Sequence, residues 1–243
     1  MEKPILWTST RTSGTIAHQA AMVAGVALDL RFISLRAGDH RQPGYLALNP
    51  KGEVPALQLP DGTVITEIPA ILFWLGEAAP ESGLLPAGAT ARAKTMEWMA
   101  WCHWCMGRHF NPAFVPARFA GSEDAAPAVR AAAVERCAQA LALAEAALVK
   151  AGGTLLGTPR PTGADIFLAS LAGFAGFLKL DISHLPALAA LQATVAAMPG
   201  VIVAHQREAE HGGDSRRPSS GSSAMARPTG TRRACRRAAP TFR

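Results

Sequence analysis

The sequence predicts a two-part chain, an α/β unit followed by an all-helical unit, and three observations carry that prediction. Strand-like and helix-like apolar segments alternate up to residue 79, the Pro- and Gly-rich stretch "PESGLLPAGA" follows at 80–89, and every later apolar pattern up to 211 has helical spacing. The first unit, 1–79, opens with a strand at "PILW" (4–7), a helix at about 15–25 and a second strand at "DLRFISL" (29–35). A short helix follows, then a hairpin from Val54 to Thr66 turning at Asp61-Gly62, then a helix from Glu67 to about Ala79, giving the order β-α-β-α-β-β-α. The second unit, 90–211, reads as helices at about 90–110, 126–150, 163–178, 185–197 and 199–210.

Composition bounds what such a chain does. Its 243 residues are 49% apolar, enough for one or two cores. The formal charge of +6 points at first to an anionic partner. Position removes that suggestion, because residues 212–243 hold eight Arg and one Asp while the first 211 carry 16 Lys and Arg against 17 Asp and Glu. The segment 212–243, rich in Gly, Ser, Pro and Arg, reads as a disordered basic tail, a solvated extension rather than a specific nucleic-acid reader. No apolar run approaches the roughly 18 residues of a bilayer span, and the first residues lack the apolar stretch of a signal peptide, so the expectation is a cytoplasmic protein with no membrane partner.

Four cysteines, Cys102, Cys105, Cys137 and Cys235, are too few and too irregular for a disulfide framework. Cys102 and Cys105 form a C-x-x-C inside a predicted helix, whereas a redox pair stands where a strand hands over to a helix N-terminus. Zinc needs two more ligands, and His103 and His109 nearby do not make a second pair at finger spacing. These cysteines read as small buried apolar residues, and no metal is expected.

Pro55 is the residue that strand reading leaves unexplained. Proline gives no N–H to a ladder and is confined to edges, strand starts and special turns. A trans-proline starting an edge strand is one reading. The order of elements offers another: in a thioredoxin-like arrangement the third strand begins after a cis-proline, and the preceding residue, here Val54, turns its backbone groups toward a ligand as an edge strand does toward a peptide. A second feature lies close by. The helix starting near Glu67 carries Pro69 in its first turn, and its free N–H groups and dipole suit a carboxylate, while Glu67 suits an ammonium group. A glutamate there can also be simple dipole compensation.

Together "NPKGEVPAL" and "DGTVITEIPAILFWL" resemble the cytosolic glutathione transferase family, particularly its bacterial, beta-like branch. "RPTGADIFLAS" is similar to that family's buried capping box, in which Thr162 caps the Asp165 N–H and Asp165 reaches back to the Thr162 N–H. The resemblance covers about residues 4–210 and implies a thioredoxin-like α/β N-terminal domain plus an all-α C-terminal domain. It implies glutathione as substrate, held by Val54, Pro55, Glu67 and Ile68, with His40 or Arg41 reaching the glycine carboxylate.

The chemistry so implied is thiolate formation. Aligning His18 with the basic position of the family's first helix places Ser13, in "TSTRTSGTIAH", where members carry Ser or Cys. Ser13 is therefore the expected hydroxyl donor to the sulfur, with Thr12 and Thr10 as substitutes. Without the resemblance, Ser or Thr before a helix reads as an N-cap. Trp104, Arg108 and His109, on the predicted helix at 90–110, are the expected contacts of a small hydrophobic electrophile. The family's serine after the glutamate is Ile68 here, and the branch's helical-domain Asn and His are Ala100 and Gly107. The expected activity is conjugation of glutathione to an electrophile. Glutathione-dependent isomerisation or dehalogenation, or noncatalytic glutathione binding, remain open alternatives. Family dimers pair the α/β domain of one subunit with the helical domain of the other, so a homodimer is expected, with Phe73, Trp74 and "KTMEWMAWCHW" as interface candidates.

Overall fold

Alternate burial in the first strand, β1 (Ile5–Thr8), turns Leu6 and Thr8 inward, and the chain then enters helix α1 (Gly14–Ala24), ended by Gly25 in the left-handed conformation. The computed structural model describes residues 2–214. Strand β2 (Asp29–Phe32) returns parallel to β1, helix α2 (Pro43–Leu48) follows, and β3 (Ala56–Gln58) and β4 (Val64–Thr66) make the hairpin. The sheet order is β2-β1-β3-β4, with β3 antiparallel to both β1 and β4. At the hairpin tip Gly62 has φ +88° and the Asp61 carboxylate accepts from the Thr63 N–H at 2.8 Å, so the Asp-Gly pair closes the turn as its sequence requires. Helix α3 (Ile68–Ala78) completes the unit. The second strand is shorter than the expected 29–35, because Ser34 already begins a turn in which its N–H donates to Asp39 Oδ2 at 2.8 Å.

The helical part begins with α4 (Ala89–Cys105). The expected helix at 90–110 forms, but not with one pitch throughout. The chain widens into a π-helical turn at Met106–Phe110 and resumes as the short α5 (Asn111–Phe114). Pro112 supplies the cause, since it has no N–H to offer the Arg108 carbonyl four residues back. Helices α6 (Ala126–Ala151), α7 (Gly163–Phe177), α8 (Pro186–Ala196) and α9 (Pro199–Asp214) follow. Helix α9 runs three residues into the segment expected to be a tail, and the rest of that segment, 215–243, lies outside the described residues. Among the described residues no single helix is long and apolar enough to cross a membrane.

The two parts share one core. Leu6, Ile16, Leu57, Ile71 and Leu75 from the α/β part and Met99, Cys102, Phe167 and Leu168 from the helical part belong to a single buried cluster. Helix α1 lies in the middle of it and is tied to α9 by polar contacts. Thr15 donates to Glu208 Oε2 at 2.9 Å, His18 Nδ1 lies 3.1 Å from Glu208 Oε1, and Gln19 meets His205 at 2.8 Å. The helices approach closely because Gly200 has no side chain; a Cβ there would fall 2.5 Å from the Val23 nitrogen.

The start of α7 is fixed by a buried carboxylate. Asp165 Oδ2 accepts from the Thr162 N–H at 2.8 Å and the Thr162 hydroxyl at 2.7 Å, and Oδ1 accepts from the Leu155 N–H at 2.8 Å, within a reciprocal capping box. Burial pushes its carboxyl upward from the ordinary range, while the donors from Leu155 and Thr162 pull the other way. Replacing Asp165 by Ala leaves two buried N–H groups without partners, and we expect a loss of about 2–4 kcal/mol. Urea denaturation of Asp165→Ala beside the parent checks this; a loss under about 0.5 kcal/mol is what an exposed surface change gives and contradicts it.

Candidate functional site

Three local structures converge at one end of the sheet. The first is the loop from Asn49 to Pro55. Asn49, 2% exposed, donates its amide to the Glu53 carbonyl at 2.7 Å and accepts from the Lys51 N–H at 3.2 Å. Tyr45 Oη donates to the same Glu53 carbonyl at 2.6 Å. Gly52 makes the reversal at φ +62°, and a Cβ there would meet the Arg41 guanidinium at 3.1 Å. So tied, the loop delivers the Val54-Pro55 bond in the cis form, directly before β3.

The second is the turn from β1 into α1. Thr12 Oγ1 donates to the Ser9 carbonyl at 2.7 Å and accepts from the Gly14 N–H at 3.1 Å, so the capping hydroxyl here is that of Thr12. The N–H groups of Thr15 and Ile16 bond to the Thr12 and Ser13 carbonyls at 3.1 and 3.2 Å. The backbone donors from Gly14 to Ile16 are thus occupied within the turn. Ser13 makes no capping bond; its hydroxyl crosses to the Val54 carbonyl at a long 3.4 Å. A hydroxyl held that weakly can rotate to a better acceptor.

The third is the start of α3. Glu67 sits at the N-cap with φ +70°, a region that costs a non-glycine residue about 1–3 kcal/mol. The Ile68 side chain is 2% exposed and lies in the core, so its backbone is what it has to offer the cleft it lines; Pro69 has no N–H to give. The Glu67 carboxylate is bracketed by two bases: Lys51 Nζ at 2.5 Å from Oε1 and His103 Nε2 at 3.1 Å from Oε2.

These structures border a cleft of about 950 Å³ between the sheet end and the helices. Ser13, Thr12, His40, Arg41, Val54, Pro55, Glu67 and Ile68 all line it. Thr10 does not; it stands outside the lining. The helical wall differs from expectation. His103, Met106, Gly107, Phe110 and Asn111 line it, with Phe114, Val115, Phe119, Phe174 and Phe177 beyond, while Trp104, Arg108 and His109 do not. Those three form their own cluster: Arg108 lies 5.1 Å over the Trp104 ring and His109 packs edge-on to that ring at 5.0 Å. Trp104 and Arg108 are four apart and share a face, while 103, 107 and 110, also spaced by four and three, share the neighbouring face that lines the cleft. Burial pushes the His109 imidazole toward its neutral form, which suits packing against Trp104.

Sequence reasoning passed over Lys51, although it stands inside the motif that places Pro55, and over His103 as a partner of Glu67. The phenylalanines of the outer wall carried no motif at all. The three cysteines among the described residues behave as packing residues: Cys102, Cys105 and Cys137 are free and buried, burial pushes the thiols of Cys105 and Cys137 up to about 12, and Cys235 lies outside the described residues. Among the described residues no three His, Cys, Asp or Glu side chains gather as a metal site.

Comparison with known proteins places this geometry in company. Residues 17–78 match the family described as glutathione S-transferase, N-terminal domain. Over 177 residues, 72% of this chain and 82% of the relative, the sequence is 35% identical to glutathione S-transferase GstA of Escherichia coli O157:H7. A shorter stretch of 57 residues, 24% of this chain and 27% of the relative, is 49% identical to maleylacetoacetate isomerase of Pseudomonas aeruginosa. A solved sphingomonad glutathione S-transferase complexed with glutathione is 28% identical, with a TM-score of 0.74 over 84% of this chain and 98% of that one.

The turn carrying Ser13 depends on close contact between α1 and β1. A Cβ at Gly14 would lie 2.4 Å from Thr8 Oγ1, a buried hydroxyl with no hydrogen-bond partner among the described residues. We expect Gly14→Ala to cost about 1–3 kcal/mol by overpacking. In a double-mutant cycle Thr8→Ala should recover part of that loss, with a coupling of at least about 0.5 kcal/mol between the two positions. Additive denaturation free energies would show that the clash is absorbed elsewhere.

Proposed function

The chain belongs to the glutathione S-transferase family, and from that premise we propose that its cleft binds glutathione with the thiol at Ser13 and transfers the sulfur to a small apolar electrophile. One observation carries the assignment of the thiol site: the Ser13 hydroxyl is uncommitted to the helix cap and spans 3.4 Å to the Val54 carbonyl beside Pro55. The backbone groups of Val54 receive the cysteinyl residue as a strand would. The Ile68 N–H and the positive end of α3 take the γ-glutamyl carboxylate, Glu67 takes the ammonium group, and His40 or Arg41 takes the glycine carboxylate.

A free thiol has a pKa of about 8.5, so few molecules are thiolate at neutral pH. Ser13 swings from Val54 to donate to the sulfur, favouring the charged form as the thiol proton leaves to solvent. The thiolate then forms the carbon–sulfur bond and the leaving group departs with its electron pair. Met106, Phe110, Phe114, Phe119, Phe174 and Phe177 give the electrophile an apolar, largely aromatic wall. The isomerase relative supports a second reading, in which the same thiolate adds to the substrate and is then expelled. Glutathione consumed in proportion to product separates transfer from isomerisation, in which none is consumed.

A hydrogen bond to a charged group contributes about 1.5–3 kcal/mol, so Ser13→Ala should lower kcat/KM at neutral pH by about 10- to 100-fold. The loss should shrink at high pH, where the thiol ionises unaided, and thiolate absorbance of the bound peptide should titrate higher than in the parent. A pH profile identical to the parent's would remove Ser13 from the thiol site.

The homodimer belongs to the same proposal. Phe73 and Trp74 on α3 and Trp98 and Trp101 on α4 are only partly covered within one chain, a composition suited to an interface. Sedimentation at micromolar concentration should give about twice 25.4 kDa, and a concentration-independent 25.4 kDa would exclude the dimer.

A further inference from the structure

The carboxylate assigned to the peptide's ammonium group is already occupied. Lys51 Nζ bridges Glu67 Oε1 at 2.5 Å and Thr66 Oγ1 at 2.9 Å, while His103 Nε2 approaches Glu67 Oε2 at 3.1 Å. The three side chains come from the loop before Pro55, the start of α3, and α4, and all line the cleft. We infer that Lys51 is a built-in competitor for the ammonium end of glutathione: in the empty cleft it fills the cation position on Glu67, and the γ-glutamyl ammonium binds by displacing it. This rests on the glutathione reading above.

Several features make the exchange feasible. Lys51 and Glu67 are 51% and 41% exposed, so the pair is weak and held in water, and the long lysine stem can swing away without leaving a buried donor unpaired. His103 belongs to α4 and its ring packs edge-on toward Phe167, so it stays on Oε2 and keeps the carboxylate in place while Oε1 changes partner. One cation replaces another, so the strained Glu67 backbone never faces an unpaired charge. A ligand that brings no ammonium group cannot take the position and gains nothing from Glu67. Glu67 is thus what favours the amine end of the peptide, and Lys51, by competing there, lowers that preference and sets how much the ammonium group gains.

Calorimetric titration of the parent, Lys51→Met and Lys51→Gln with two ligands tests this: glutathione, and its des-amino analogue with glutaryl in place of γ-glutamyl. Because an exposed pair is weak, both variants should bind glutathione about two- to fivefold more tightly than the parent while the analogue changes by less than about 1.5-fold. Raising the salt concentration should shrink the ratio between variant and parent, since the lost competition is electrostatic. Weaker or unchanged glutathione binding in both variants overturns the inference, as does an equal shift for both ligands. Failure of the glutathione reading looks different, because the parent itself would then bind neither ligand.

Discussion

Everything in the cleft depends on a helix covered on nearly every side. In α1, Ile16, Ala17, Ala20 and Ala21 have no exposed surface, with the sheet and α3 on one side and α7 and α9 on the other. Such a position demands small residues where neighbours approach and partners for every polar group that remains. The helix meets the first demand with alanines and most of the second with Thr15, His18 Nδ1 and Gln19, which reach Glu208, His205 and Ser170, leaving His18 Nε2 without a partner among the described residues. A helix held from both parts of the chain has a fixed N-terminus, and Ser13 stands on it. The proposed thiol site would therefore be positioned by the packing of the whole molecule.

The same shared core sets the two walls of the cleft against each other. Polar contacts come from the α/β part, where loops and helix starts expose backbone groups and charges. The apolar wall comes from the π turn, α5 and α7, where phenylalanines that could have been buried in a larger bundle are left facing the opening. Peptide recognition needs backbone geometry, which few sequences produce; an apolar wall needs only large side chains, which many do. The first half is thus bound to motif, and the second is free to vary.

That asymmetry explains what was legible in the sequence. Pro55, Glu67 and Ile68 could be read because proline chemistry and helix starts are local, and the order of elements gave them their place in the fold. Most helix boundaries were readable for the same reason, from Gly and Pro signals near their ends, though not the change at Met106–Phe110 or the end of α9. Trp104, Arg108 and His109 do not line the cleft because Trp104 and Arg108 share a neighbouring face of the helix from the one carrying 103, 107 and 110, and nothing local in the sequence says which of the two faces meets the sheet end. The pairing of Lys51 and His103 with Glu67 joins residues 16 and 36 positions away, and no local pattern encodes it.

The departures from the family pattern decide how much Ser13 has to do. Ile68 buries its side chain in the core, so only the backbone serves there. Ala100 is exposed and outside the cleft lining, and Gly107 lines it with nothing within 4 Å of where a Cβ would stand. With the backbone donors from Gly14 to Ile16 already occupied, the proposed thiol site relies on the Ser13 hydroxyl as the donor from the α1 turn. One charge-assisted hydrogen bond lowers a thiol pKa of about 8.5 by about one to two, which raises the thiolate share at pH 7 from about 3% to between about a quarter and three quarters. On the proposed reading that share would serve nucleophilic chemistry without help from α4. On the proposed reading, the open space at Gly107 would be left for the electrophile.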